Sequence, residues 1–79
     1  MNDSEHAALR GLCRGESPDV VARLVVGGTL SVPAGDTLLL ARWAVGTGEI
    51  EMGRALCMIC LKVSRNILEE AIDLLQEVE

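Results

Sequence analysis

The chain of 79 residues has no phenylalanine, no tyrosine, one tryptophan (Trp43) and one histidine (His6). Without large rings, a core must be filled by Leu, Val, Ile, Ala, Met and Cys. Association is then a natural way to cover the apolar surface left over. A single histidine, with no tyrosine and no activated serine beside it, gives no nucleophile–base–orienter set. No enzymatic activity and no cofactor are expected, and His6 reads as a surface residue. Basic side chains are also scarce, 7 against 12 acids, for a net charge of −5. Nucleic-acid affinity rests on cations that neutralise phosphates, so neither nucleic acid nor an anionic membrane is the expected partner.

Long apolar runs are missing too. The longest, Ala55 to Leu61, is far short of the ~20 residues that span a bilayer. The opening Met1-Asn2-Asp3-Ser4-Glu5-His6 has neither the positive charge nor the apolar core of a signal peptide. The expected compartment is the cytoplasm, and the length fits a single helical domain, 1–79.

What is present is helical punctuation. Asp3 or Ser4 suits the cap of a first helix from about Glu5 to Arg14, closed by Gly15. Ser17-Pro18-Asp19 starts a second, with a serine cap, proline at the first position and an acid in the first turn; Gly27-Gly28 stops it. These two form a helix pair over about 5–27. Thr29 to Gly35 connects, with Leu30 and Val32 expected to turn inward.

A central pair over about 36–64 organises the rest. Asp36 and Thr37 are expected to cap its first helix and Gly46 to end it in the left-handed conformation. Glu49-Ile50-Glu51 then opens a helix that is apolar on nearly all sides from Met52 to Val63 and so needs cover on nearly all sides. Gly53 in mid-helix costs about 1 kcal/mol against alanine, which points to close helix–helix contact there. A C-terminal amphipathic helix over about 66–79, capped by Ser64 or Asn66 or else continuous with the helix before it, has Ile67, Leu68, Ala71, Ile72, Leu75 and Val78 as its stripe.

An offset of 33 residues pairs Ala8 with Ala41, Gly11 with Ala44, Gly15 with Gly48, Glu16 with Glu49 and Leu24 with Cys57. This is either a faint helix–turn–helix repeat or the chance coincidence of small residues.

Three constellations invite chemistry. Cys57-x-x-Cys60 with Cys13 and His6 has the composition of a zinc set. Buried cysteines inside an apolar helix are the simpler reading, and no metal is expected. Gly46-Thr47-Gly48 lacks the Gly-Lys-Ser/Thr of a phosphate loop and precedes two acids, so it reads as a hinge. Those acids, Glu49 and Glu51, likewise stand where a helix–turn–helix transcription factor needs bases. Trp43 is either core or an exposed anchor for a partner. Arg42, alone among apolar neighbours, is expected to snorkel or to meet a carboxylate.

The central stretch resembles a tetratricopeptide repeat. Leu40-Ala41, Ala44, Gly48, Gly53, Cys57 and Cys60 fall at that motif's Leu-small, large, glycine and small-aromatic-small positions, while Thr37 replaces its tryptophan and Arg65 its closing proline. The pattern Trp43, Gly48, Glu51, Arg54, Glu69 and Ala71 is similar to the tetratricopeptide-like chaperones of type III secretion needle proteins. The helices marked above are therefore expected to stack as an all-α array of four or five helices in antiparallel hairpins, a short tetratricopeptide-like array, and the resemblance implies a groove that holds a partner's amphipathic helix.

The expectation is therefore a protein-binding adaptor or chaperone. Leu9, Leu12, Leu38, Leu39, Arg42, Trp43 and Val45 would contact the partner, and Leu68, Ile72 and Leu75 would close the groove or meet a second chain. A homo-oligomeric helical bundle without a groove is the alternative.

Overall fold

The computed structural model describes residues 2–63 and 68–78. Its order is α1 (Asp3–Cys13), α2 (Pro18–Val26), α3 (Ala34–Gly46), α4 (Ile50–Val63) and α5 (Leu68–Val78), with no strand among the described residues. The all-α class and the hairpin arrangement are as the punctuation implies. The capping of α5 by Ser64 or Asn66 lies outside the described residues.

The helix ends show which local signals win. The cap of α1 is Asn2, not Asp3 or Ser4: its side chain accepts from the Glu5 N–H at 2.8 Å, and the Glu5 carboxylate accepts from the Asn2 N–H at 3.3 Å. Only Asn2 has a glutamate three residues on, which closes this reciprocal box. Ser17 caps α2 as expected.

α3 starts earlier than Asp36 and Thr37 imply. The Pro33 carbonyl accepts from the Asp36 and Thr37 N–H groups, each at 3.0 Å, and from the Thr37 hydroxyl at 3.2 Å. Thr37 is thus buried and back-bonded inside the helix instead of capping it. At the other end α3 runs through Gly46, because the Thr47 hydroxyl donates to the Trp43 and Ala44 carbonyls. The left-handed residue is Gly48, at φ +88°.

Two layers result. α1, α3 and α5 lie on one side and α2 and α4 on the other; α1 touches α2 and α3, while α4 touches α2, α3 and α5. The α3–α4 hairpin is the heart and is antiparallel. Gly53, early in α4, meets Val45, late in α3, and the Cys60 thiol, late in α4, donates to the Ala34 carbonyl at the start of α3 at 3.8 Å. A Cβ on Gly53 would stand 2.8 Å from Val45 Cγ2 and 3.6 Å from the Ala41 carbonyl. The glycine is there for close approach, as expected. Ala41, Ala44, Leu56, Cys57 and Cys60 are fully buried around this contact.

The 33-residue register recurs in the turn that joins the two helices of each pair. α1 ends at Cys13 and α3 at Gly46, and Gly15 and Gly48 adopt φ +89° and +88° in the two turns. The second helix of each pair is nevertheless turned differently. α4 buries Gly53, Leu56, Cys57 and Cys60. The equivalent Val20, Arg23 and Leu24 of α2, and Gly27 just past its end, are exposed, and α2 buries Val21, Ala22 and Val25 instead. Where α4 has a glycine against Val45, the equivalent positions of the first pair are Val20 and Leu12, and Val20 is 43% exposed. Arg14 as well as Gly15 is left-handed in the first turn, at φ +50°. α2 therefore leans on α3 and α4, and its packing on α1 is slight.

Two burial expectations fail for the same geometric reason, an outer layer with nothing over it. Met58 is 47% exposed, on a face of α4 that also carries Glu51, Arg54 and Lys62. Leu30 is exposed beside Leu24, because the Thr29 and Leu30 N–H groups both bond to the Leu24 carbonyl and wrap the chain round the end of α2. Val32 does pack against the core.

Candidate functional site

The residues read as partner-binding fall into different environments. Leu9 and Leu38 are 4% exposed and belong to the core, so the surface that remains is built from their neighbours. Leu39 and Arg42 are half-buried on the outer side of α3, and the half-buried Val45 lies at its edge, lining the trough while its Cγ2 stands beside Gly53 of α4. Leu12 is half-buried in a different place, facing α2. Ile72 is exposed, whereas Leu75 is partly buried against the core; Ala71 and Leu74 make the buried seam of α5. Leu68 begins α5, but its side chain lies outside the described residues, as does that of Val78.

The α3 stripe is the floor of a trough. α1 and α5 flank α3 without touching each other, and the space between them is crossed only by Arg42 among the described residues. Its guanidinium reaches Glu5 on α1 at 3.8 Å and Glu70 on α5 at 3.7 Å. On one side of this bridge lies a basin of about 350 Å³ lined by Gly35, Leu38 and Leu39. On the other lies one of about 230 Å³ lined by Val45, Gly46, Leu74 and Glu77. Three carboxylates, Glu5, Glu70 and Glu77, thus face one arginine. The two ion pairs are long and solvent-exposed, a geometry worth about 0–1 kcal/mol each, so an incoming group can displace them at small cost.

A larger cleft, about 690 Å³, separates α1 from α2 and the connector that follows it. Ala8, Gly11 and Leu12 form one wall, and Leu24, Leu30 and Val32 the other. A third hollow of about 500 Å³ has Trp43 as its floor, with His6, Leu9, Pro18 and Thr47 around it. Trp43 is half-buried, packed on the core and open on this side, so it takes something of both roles open to it.

The cysteines sit deep. Cys57 and Cys60 are 0% exposed and Cys13 is 4% exposed. Burial pushes all three thiols up; Cys60 rises from its ordinary 9.0 to about 11, with the nearby Cys57 adding to the shift. A buried thiol held neutral is a poor nucleophile and a poor metal ligand. Among the described residues, no three His, Cys, Asp or Glu side chains form a metal-holding group, and no helix is long and apolar enough to cross a membrane.

Sequence reasoning missed Glu5, Glu70, Glu77 and Leu74, and the whole α1–α2 cleft. The trough acids carry a faint signal, since Glu70 and Glu77 are one heptad apart on a helix with no basic residue. The cleft carries none, because it arises from the turn of α2.

Comparison with known protein families, curated proteins and solved structures finds no match to this chain.

Proposed function

We propose that the chain is a small, non-enzymatic protein-binding module that holds a basic amphipathic helix of a partner along α3, between α1 and α5. The observation that supports this is the trough itself: an interrupted apolar floor, Leu39 and Val45, under an excess of carboxylates held by two weak ion pairs to Arg42. An amphipathic helix would set its apolar side on that floor and its Lys or Arg against Glu5, Glu70 and Glu77. The first-helix layer α1–α3–α5 is also the face on which the resemblance to tetratricopeptide repeats places a partner. The narrower likeness, to a cytoplasmic chaperone of type III secretion needle subunits, supplies a partner of this kind: an amphipathic helix that must be kept from assembling early.

Calorimetric titration with two designed helical peptides, one Lys/Leu and one Glu/Leu, tests the reading. The Lys/Leu peptide should bind at least about tenfold more tightly and weaken as salt rises from about 50 to 200 mM. Leu39→Arg should abolish binding while the circular dichroism stays helical. Equal affinity for both peptides, or none for either, would count against the proposal.

A further inference from the structure

Large apolar side chains are unevenly exposed on this molecule. Four of the seven that stand out among the described residues, Val20, Leu24, Val26 and Leu30, lie within eleven residues on α2 and the chain leaving it. Their origin is visible in the repeat. On α4, the positions equivalent to Val20 and Leu24 are Gly53 and Cys57, and these form the buried hairpin contact with α3. α2 has the same face but does not close it on α1, since it has turned to pack Val21, Ala22 and Val25 on the second pair. The first hairpin therefore carries an interface that its own chain leaves open: an exposed ridge, Val20 and Leu24, of which Leu24 forms the near wall of the cleft, with Ala8, Gly11 and Leu12 as the wall opposite. The small residues leave that wall low, and a Cβ added at Gly11 would meet nothing within 4 Å.

The charges say what fits there. Residues 7–36, which line the cleft and carry the ridge, hold Arg10, Arg14 and Arg23 against Glu16, Asp19 and Asp36, a balance of zero, so the chain's −5 arises entirely elsewhere. A second copy can approach this face without like-charge repulsion, although two copies meeting at α5 would set acid against acid. The rim is also self-complementary, with Arg14 on the cleft alongside Glu16 and Asp36, and Arg23 paired with Asp19 at 3.1 Å beside the ridge. In a two-fold interface each residue meets its counterpart's partner, so one patch must offer both ridge and cleft and both signs of charge. This patch does.

We infer that the α1–α2 cleft is a homodimer surface, in which the Val20–Leu24 ridge of each copy fills the cleft of the other. The trough along α3 lies apart from it, so the dimer would present two troughs, and the two sites are independent in their tests.

Sedimentation velocity of the full chain decides it. At about 100 µM, where even a micromolar interface is nearly all formed, the wild type should sediment with twice the chain mass of 8.4 kDa. Gly11→Glu, which fills the cleft, and Leu24→Glu, which charges the ridge, should each halve that mass. Gly11 lies in open space within a helix, so its substitution raises helix propensity and leaves no reason to misfold. Both variants should keep their helical circular dichroism and still bind the Lys/Leu peptide, whereas Leu39→Arg should lose the peptide and stay dimeric. A monomeric wild type, whether because the cleft is empty or because it serves another protein, overturns the inference. So do variants that remain dimeric.

Discussion

Two glycines inside helices do opposite work here. Gly53 lets α4 close on α3; a methyl group there would press on Val45 Cγ2 at 2.8 Å, and valine is short and stiff at χ1. Gly53→Ala gains about 1 kcal/mol of helix propensity and loses about 1–3 kcal/mol to overpacking. The variant should be less stable by about 1 kcal/mol. Gly11→Ala has the same gain and no neighbour to offend, so it should be more stable by about 0.5–1 kcal/mol. Urea denaturation of the two variants beside wild type checks both signs, and two shifts in the same direction would contradict the packing described. The sequence alone marks Gly53 as a contact glycine, because it sits in an otherwise excellent helix. It cannot separate Gly11 from Gly53, since the difference lies in what the fold brings opposite each.

At the level of single helices, α1 is held by few groups. It contributes Leu9 and Cys13 to the core, and Glu5 serves it twice: as the capping-box partner of Asn2 and as a ligand of Arg42. These roles can be pulled apart. Glutamine can close a capping box as glutamate does but carries no charge for an ion pair. Glu5→Gln should therefore change stability by less than about 0.5 kcal/mol, as expected for a long, exposed ion pair. Glu5→Ala should cost about 0.5–1 kcal/mol, because it removes the side-chain half of the capping box while Asn2 still accepts from the backbone N–H. Thermal denaturation of the pair reads the difference; a larger loss in Glu5→Gln would make the Arg42 bridge the main attachment of α1. Helix existence and most helix ends were legible from Ser17-Pro18, Gly15 and Gly27-Gly28, because capping is local chemistry. The rotation of α2 was not. Val20, Val21, Leu24 and Val25 are apolar on two sides, so pattern alone cannot choose which pair of faces is buried. That choice is made at a distance, by Gly53 drawing α3 and α4 together and presenting α2 with a surface to lie on.

Across the whole molecule, stability should follow the packing, concentrated in α3 and α4 and falling away toward α1. The Cα extents of 30 × 26 × 22 Å describe a nearly isotropic body, with the α3–α4 hairpin at its centre and α1 at its edge. Amides that open only with the whole fold exchange slowest, and helices with few buried contacts open locally at lower cost. Hydrogen exchange should thus be slowest in residues 37–45 and 53–61 and fastest in α1. The homodimer adds a second dependence. If α1 and α2 are covered by another copy, their exchange must quicken on dilution by mass action, while α3 and α4, whose contacts lie within one chain, keep their rates. Mass-spectrometric exchange at about 100 µM and at about 1 µM separates these two terms, the span being wide enough to dissociate a micromolar dimer. A concentration effect confined to α1 and α2 places the open hairpin face at the interface. An equal effect on all five helices would mean that dimer and fold are one equilibrium, and no effect anywhere would leave the α3–α4 gradient standing without the second copy.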